Sequence, residues 1–544
     1  MVFDYVIVGG GSAGSVLARR LSDDPSVSVC LIEAGGEGRD RLIRTPAGVV
    51  AMLPGRPKIN NWAYETVPQP GLGGRRGYQP RGKALGGSSA INAMLYVRGH
   101  PSDYDGWAAA GCPGWSWEEV LPWFRKAEAN QRGADDFHGA EGPLQVSDQP
   151  SPRPVSHAFV QAAAECQIPV NEDFNGPRQE GVGLYQVTQF HRGPAKGERC
   201  SAAAAYLHPV MAARPNLHVM TRTHATRILI EEGRAAGIAW RRGRETGEVR
   251  ARVEVILSGG AFNSPQLLML SGIGPAAELS ALGIPVVADL AGVGRNLQDH
   301  PDFILGWSSA DTDMFGIGMA GTGRLIRAWR DWQRNRTGML TTPFAEGGAF
   351  LKTDPALHRP DIQLHFVISI VDDHARKLHA GYGFSCHVCV LRPKSRGSVR
   401  LASADPLASP AIDPAFFADP EDMAVMLKGT RITRRILSAP ALAPYRAREL
   451  YLSGEPDDDT LTAHIRARAD TIYHPVGTCR MGNDDGAVVT PDLRLRGVAG
   501  LRVVDASVMP CLPGGNTNAP TIMIAERAAS MILAARSAGA KAAA

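Results

Sequence analysis

Asp4-Tyr5-Val6-Ile7-Val8 runs straight into Gly9-Gly10-Gly11-Ser12-Ala13-Gly14, a buried-strand pattern entering a G-x-G-x-x-G turn. A strand feeding such a turn into a helix builds a cradle for a pyrophosphate. Gly9 permits the tight turn, Gly11 lets the backbone approach the phosphates, and Gly14 lets the next helix pack on the strand. The helix is predicted because Ala13, Val16, Leu17 and Leu21 fall on one apolar face, and Asp23-Asp24-Pro25 ends it. A second apolar strand, Val27 to Ile32, then delivers Glu33, 19 residues after Gly14. A carboxylate at that point accepts hydrogen bonds from a ribose 2'-hydroxyl and repels a 2'-phosphate, so NAD or FAD is favoured over NADP.

A chain of 544 residues is long for one hydrophobic core, so two domains are expected. With 44% hydrophobic and 21% charged residues, its composition is that of an ordinary globular protein. The formal charge of +4 is small and not gathered in runs, which implies neither nucleic acid nor an anionic membrane as a main partner. Eight scattered cysteines do not make a disulfide framework. Cys386 and Cys389 form a C-x-x-C, but Phe384 to Arg392 reads as a strand. Residues three apart on a strand face opposite ways, which suits neither a zinc knuckle nor a redox pair, and no metal site is expected. No signal peptide precedes the first strand, and no apolar run approaches the roughly 20 residues of a membrane span. A cytoplasmic location is therefore expected, with peripheral contact at the inner membrane left open.

Segments suited to the nucleotide module recur downstream. Short β-rich stretches at Leu217 to Thr221, Arg227 to Ile230 and Val253 to Leu257 end in Ser258-Gly259-Gly260, with a charged hairpin turn at Arg241 to Glu245 between them. A further strand pattern, Leu501 to Asp505, precedes an apolar helix from Thr521 to Leu533. From His300 to about Asp470 the texture changes to longer loops, prolines and strands such as Ile362 to Val371. The Pro- and Gly-rich stretch from Arg44 to Pro70 reads as a lid or a cofactor-embracing loop.

Two longer motifs stand out. Arg81-Gly82-Lys83-Ala84-Leu85-Gly86-Gly87-Ser88-Ser89-Ala90-Ile91-Asn92 places paired glycines before hydroxyls and a helix start, a nest of backbone donors. Gly260 to Gly274 reads as a strand end, a capped turn and a short apolar helix. Together these stretches resemble the two signature motifs of the glucose-methanol-choline (GMC) oxidoreductase family. The resemblance extends through Asn61-Trp62-Ala63-Tyr64, Gly292 to His300, His474-Pro475-Val476-Gly477-Thr478-Cys479 and Gly515-Asn516-Thr517-Asn518-Ala519-Pro520. Within the family the chain looks most like bacterial alcohol and choline dehydrogenases.

The resemblance implies an α/β fold: a Rossmann-like FAD-binding domain with a second, α+β substrate-binding domain. On this reading 1–155, 201–299 and 466–544 are three parts of the FAD-binding domain, the last carrying the catalytic pair. Residues 300–465 form the substrate-binding domain, and 156–200 is a segment of it or a connection. The cofactor implied is FAD. Glu33 meets its adenosine ribose, Trp62 and the backbone of Ala225 lie near the adenine, and Gly9, Gly11, Ser12, Ala13 and Gly14 serve the pyrophosphate. Ser88 and Asn92, Ala93, Met94 and Leu95 follow the flavin ring and ribityl chain. Asp505 and Ala506 close over the phosphate side, while Ala519, Pro520 and Thr521 present a helix N-terminus to the flavin N1 and O2 edge. Some relatives carry a histidine that links covalently to FAD at the position of Ile91; isoleucine cannot, so binding is expected to be non-covalent.

Oxidising an alcohol requires a base for the hydroxyl proton and an acceptor for the α-hydride. His474, in a turn fixed by Pro475 and Gly477, matches the family's catalytic histidine, and Asn518 is assigned as its partner, orienting the hydroxyl and stabilising the developing alkoxide. As a turn asparagine Asn518 also suits a helix cap. His191 and His300 are further polar candidates, with His300 read as structural. The leading reading is oxidation of an uncharged primary alcohol, aliphatic or aryl, with electrons leaving to a quinone-like acceptor. Alternatives are an oxidase that produces hydrogen peroxide, a choline dehydrogenase, and, in another class, a hydroxynitrile lyase or flavin photodecarboxylase.

Overall fold

Val2–Val8 lies at the heart of a seven-stranded sheet in the computed structural model, which describes residues 1–543. On one side it pairs in parallel with Val29–Ile32, which in turn pairs with Leu217–Met220. On the other it pairs in parallel with the end of the 13-residue strand Glu245–Leu257. That long strand changes partners along its length. Its first half pairs antiparallel with Arg234–Arg242, while Val255 to Leu257 pair in parallel with Leu501–Val503. Stretches far apart in sequence thus meet in one sheet. The inner strands are apolar on both faces, as strands covered by helices on both sides must be.

The helix Ser12–Leu21 follows the glycine turn, with Val16, Leu17 and Leu21 fully buried, and packs against Asn518–Ala543. This C-terminal helix extends beyond both ends of the Thr521 to Leu533 pattern because alanine-rich turns continue it and Asn518 starts it. Arg242 and Glu245 pair across a two-residue turn whose Gly243 has φ +60°, so the charged hairpin forms where its residues suggest.

A second, eight-stranded sheet is antiparallel throughout. Its central strands are Pro301–Ser309, Gly381–Val390, Ile362–Val367 and Ala345–Leu351, and Gly181–Leu184 joins its edge. The strand expected to reach Val371 stops at Val367, where the chain turns into the cavity described below. Helices Pro154–Glu165 and Pro420–Ser438 cover one face, with Phe159 stacked 4.5 Å from Phe366. Cys386 and Cys389 are buried free thiols that point into different apolar clusters on opposite faces. Among the described residues no group of side chains could hold a metal ion, and no helix is long and apolar enough to cross a membrane.

Candidate active site

A long cavity runs along the carboxyl ends of the parallel strands, where ligands sit in open α/β sheets, and continues beneath the second sheet. At its first end the glycine turn is shaped by contact. Gly9 has φ +99°, and a Cβ on Gly14 would lie 1.8 Å from the Gly9 carbonyl oxygen, so the helix seats directly on the turn. Around the place of a Cβ on Gly11 the nearest atom is Gly87 Cα, 3.8 Å away. Gly86 N–H donates to Gly10 O at 2.7 Å, locking the two glycine loops together. The helix Ser12–Leu21 has no side-chain N-cap, leaving its first-turn amides free for an anion.

Glu33 is buried beside this turn. Its Oε2 accepts from Gly10 N at 2.8 Å and its Oε1 from Gly35 N at 2.7 Å. Burial pushes its carboxyl up to about 7, against the pull of those two amides and of Lys83. Each oxygen retains acceptor capacity for a ribose hydroxyl, so Glu33 braces the loop and still faces the cavity. Trp62 lines the same end, stacked on Tyr64 and edge-on to His224, with Lys83 Nζ 4.1 Å from its ring centroid. Ala225 lies alongside, and Val49, Val50 and Leu53, from short helical turns in the irregular Arg44 to Pro70 stretch, complete that wall.

Ser88, Ile91 and Asn92 to Leu95 form the middle of the cavity. Met94 has φ +61°, a left-handed conformation held because Asn92 Oδ1 accepts from Met94 N and from the buried Arg199 guanidinium. Burial pulls Arg199 down to about 9. Asp505 also borders the cavity, but its carboxylate is committed inward: Oδ2 accepts from Gly260 N and Ser264 Oγ, and Oδ1 from Ser507 N. Ala506 and Thr521 line the wall, whereas Gly14, Ala519 and Pro520 lie behind it.

At the far end His474 is buried in a turn whose preceding residue, Tyr473, has φ +75°. The turn is held by Asp299 Oδ1, which accepts from His474 N at 2.9 Å, and by Arg81, which donates to Tyr473 O at 2.9 Å. Burial pushes the Asp299 carboxyl up to about 6. The imidazole tautomer follows from its partners. His300 Nε2 lies 3.1 Å from Leu391 O, and a carbonyl only accepts, so Nε2 carries the proton of the neutral ring. Burial, with Arg392 nearby, lowers His300 to about 3 and keeps it neutral. His300 Nδ1 is then an acceptor, and His474 Nδ1, 3.0 Å away, must donate to it. His474 Nε2 is left unprotonated, its lone pair an acceptor. Burial, with the Arg81 guanidinium adding repulsion, holds His474 well below the usual imidazole range.

That lone pair faces Asn516, not Asn518. Asn516 Nδ2 is 3.2 Å from His474 Nε2, and its Oδ1 accepts from Gln363 Nε2 at 3.2 Å, which fixes the amide orientation. Asn518 Oδ1 instead accepts from Ser12 Oγ at 2.7 Å, tying together the starts of the two packed helices. The expected pairing of His474 with Asn518 is thus corrected by geometry: Thr517 alone separates the asparagine beside His474 from the one that opens the helix. No sequence signal distinguishes them, since both lie in Gly515 to Pro520. His300 is the brace of His474, while His191 Nε2 donates to Ala129 O at 3.1 Å, away from the cavity. Sequence reading also missed His365 and His387, cross-strand neighbours that border the chamber. His387 Nδ1 is 2.6 Å from Asp302 Oδ2, and both ring nitrogens of the buried His365 have no partner. Phe344, Ala345, Val367 and Ile370 give this chamber an apolar wall, interrupted by Ser369 and Tyr473. Among the described cavity residues the only acids are Glu33 and Asp505, both at the nucleotide end.

Comparison with known proteins gives a consistent picture. Residues 3–302 and 393–525 match the N- and C-terminal family profiles described as GMC oxidoreductase. The chain is 48% identical to an alcohol dehydrogenase [acceptor] of Pseudomonas putida, covering 98% of this chain and 96% of that protein. It is 44% identical to the human mitochondrial choline dehydrogenase over 97% and 89% of the two chains. The solved structure of pyridoxine 4-oxidase from Mesorbium loti superposes with a TM-score of 0.87 at 33% identity, covering 97% of this chain and 98% of that one.

Proposed function

Because the chain belongs to the GMC oxidoreductase family, we propose that it oxidises an uncharged primary alcohol to the aldehyde and passes the electrons to a quinone-like acceptor. The enzyme is an FAD-dependent, alcohol-oxidising oxidoreductase. The residues present fit FAD. The Gly11 and Gly87 cradle and the uncapped helix start suit its pyrophosphate, Glu33 and Trp62 its adenosine end, and the loop from Ser88 to Leu95 with Thr521 its flavin end. Ile91 lines this wall and offers no nucleophile, so the cofactor is held non-covalently. We assign the segments of the first sheet to the FAD-holding domain and those of the second to the substrate-facing one.

Bound FAD supplies the hydride acceptor. The chain supplies the proton chemistry, and the single observation that carries the reading is the unprotonated Nε2 of His474, which accepts from the Asn516 amide. An alcohol oxygen placed between them gives its proton to Nε2 and accepts a hydrogen bond from Asn516 Nδ2, which stabilises negative charge as it grows on that oxygen. The rotation of His474 is prevented by His300, so the base needs no reorganisation. The apolar chamber excludes water, and the lack of a carboxylate there disfavours a cationic substrate such as choline, which calls for an acid or an aromatic cage. His365 offers a free hydrogen-bonding group to a substrate.

Steady-state reduction of a dye, with and without oxygen, across aliphatic, aryl and choline-type alcohols tests this. Neutral primary alcohols should give the highest kcat/KM with little peroxide. A higher kcat/KM for choline than for every neutral alcohol overturns the substrate, and stoichiometric peroxide at full turnover overturns the acceptor.

A further inference from the structure

Four of the large apolar side chains most exposed to solvent, Ile317, Leu325, Ile326 and Trp329, cluster on or beside one helix, Met319–Asn335. The same helix carries Arg324, Arg327, Arg330 and Arg334 against a single acid, Asp331. At 100° per residue these groups separate into sectors. Ala328 and Trp332 form the buried stripe, anchored where Trp332 Nε1 donates to Gly197 O at 3.3 Å. Leu325, Trp329 and Ile326 continue from it into solvent, and Arg330, Arg334, Arg327 and Arg324 occupy the arc beyond. Among the described residues no carboxylate lies within ion-pair distance of these four arginines; Arg324 turns inward to donate to Thr312 Oγ1, which leaves Arg327, Arg330 and Arg334 exposed with their charge not neutralised internally. The weak overall charge of +4 conceals this local concentration, because the arginines are spaced as a helix spaces them rather than in a run.

We propose that Met319–Asn335 docks the protein on an anionic phospholipid bilayer, lying in the plane of the interface with its apolar sector among the acyl chains and its arginines at the phosphates. A helix with Trp and Leu on one exposed side and unpaired arginines on the next has the design of an interfacial helix, and the charge complementarity selects an anionic surface. A protein partner or a second copy of this basic chain would have to supply acids that the helix surroundings do not. The excursion bearing the helix begins near Phe315 and returns through Phe344, whose rings are 4.5 Å apart, and Phe344 lines the substrate chamber. Docking there brings the chamber wall close to a membrane, the phase in which long-chain alcohols and quinones dissolve.

The experiment is flotation of the FAD-loaded protein with vesicles of phosphatidylcholine alone or mixed with phosphatidylglycerol, at low and high salt. Binding is expected only with phosphatidylglycerol and should weaken as salt rises. Arg327→Glu with Arg330→Glu and Arg334→Glu should lower partitioning by roughly 10-fold or more, given a free energy of about 1 kcal/mol per basic residue at the surface. Leu325→Ser with Trp329→Ser should lower it at unchanged charge. Dye-linked turnover should match wild type in both variants, which establishes that they fold; the salt dependence of the unmodified protein stands even where a variant does not. Absence of binding, equal binding to neutral vesicles, or unchanged binding by both folded variants overturns the proposal. So does a concentration-dependent dimer, seen by light scattering, that both variants abolish.

Discussion

His300 Nδ1 lies 3.0 Å from His474 Nδ1, and the Leu391 carbonyl on the far side of His300 determines which of the two rings donates. A base whose proton position is fixed by a neutral, buried neighbour is prepared before substrate arrives. His300→Phe removes the acceptor while keeping an aromatic ring. Flavin reduction in rapid mixing should slow by about 10-fold to 100-fold, because His474 loses both its tautomer and its orientation. His300→Gln, which retains a carbonyl acceptor, should recover part of the rate. A purely structural role would lower thermal stability in both variants without separating their reduction rates.

His474→Ala should keep FAD and slow reduction by about 100-fold or more, the range for loss of a general base. Asn516→Ala should slow it by about 10-fold to 1000-fold, as for a positioned donor. Asn518→Ala should act mainly on cofactor retention, measured by flavin released on gel filtration, because its side chain holds Ser12. Equal loss of reduction rate from Asn518→Ala at full flavin occupancy would restore it as the partner of the base.

The pH profile follows from the depressed basicity of His474. The reaction needs the neutral ring, so kcat/KM is expected to be flat on the alkaline side and to fall as pH drops through a midpoint below the ordinary imidazole value of 6.5. Initial rates with a neutral alcohol and a dye whose own chemistry is pH-independent would measure this. An acid limb centred above neutrality would mean that His474 is charged in the resting enzyme.

Gly14→Ala places a methyl group 1.8 Å from the Gly9 carbonyl oxygen, a contact neither backbone can relieve without moving the turn. The variant is expected to lose at least about 2 kcal/mol of stability, as overpacked sites do, and to be isolated largely without FAD. A melting temperature and flavin content equal to wild type would show that the turn has slack.

The nucleotide end was readable because local rules suffice there. Strand, glycine turn, helix and acid occur within Asp4 to Glu33, and the positive φ of Gly9 and the tight seat of Gly14 each require a glycine. The catalytic end depends on contacts between residues hundreds of positions apart. His300 and His474 are both visible as histidines beside prolines, but their mutual hydrogen bond belongs to tertiary structure. The choice between Asn516 and Asn518 turns on the rotation of one short turn, to which composition and spacing are blind. His365 was lost among apolar strand residues, since a strand pattern reports alternation rather than which cavity a face borders. The arginines of Met319–Asn335 form no run in the sequence, because a helix gathers charge from positions three and four apart.

The strand Glu245–Leu257 holds the beginning of the chain on one edge and Leu501–Val503 on the other. During synthesis, therefore, Val2–Val8 waits for Glu245–Leu257, made a couple of hundred residues later, and the sheet behind the cofactor cradle is not complete until Leu501–Val503 has followed. Loop-closure entropy makes such distant pairing slow. The newborn protein must keep its apolar edges covered through that delay, and loss of the stretch from Leu501 to Thr521 would leave the glycine turn without its final wall.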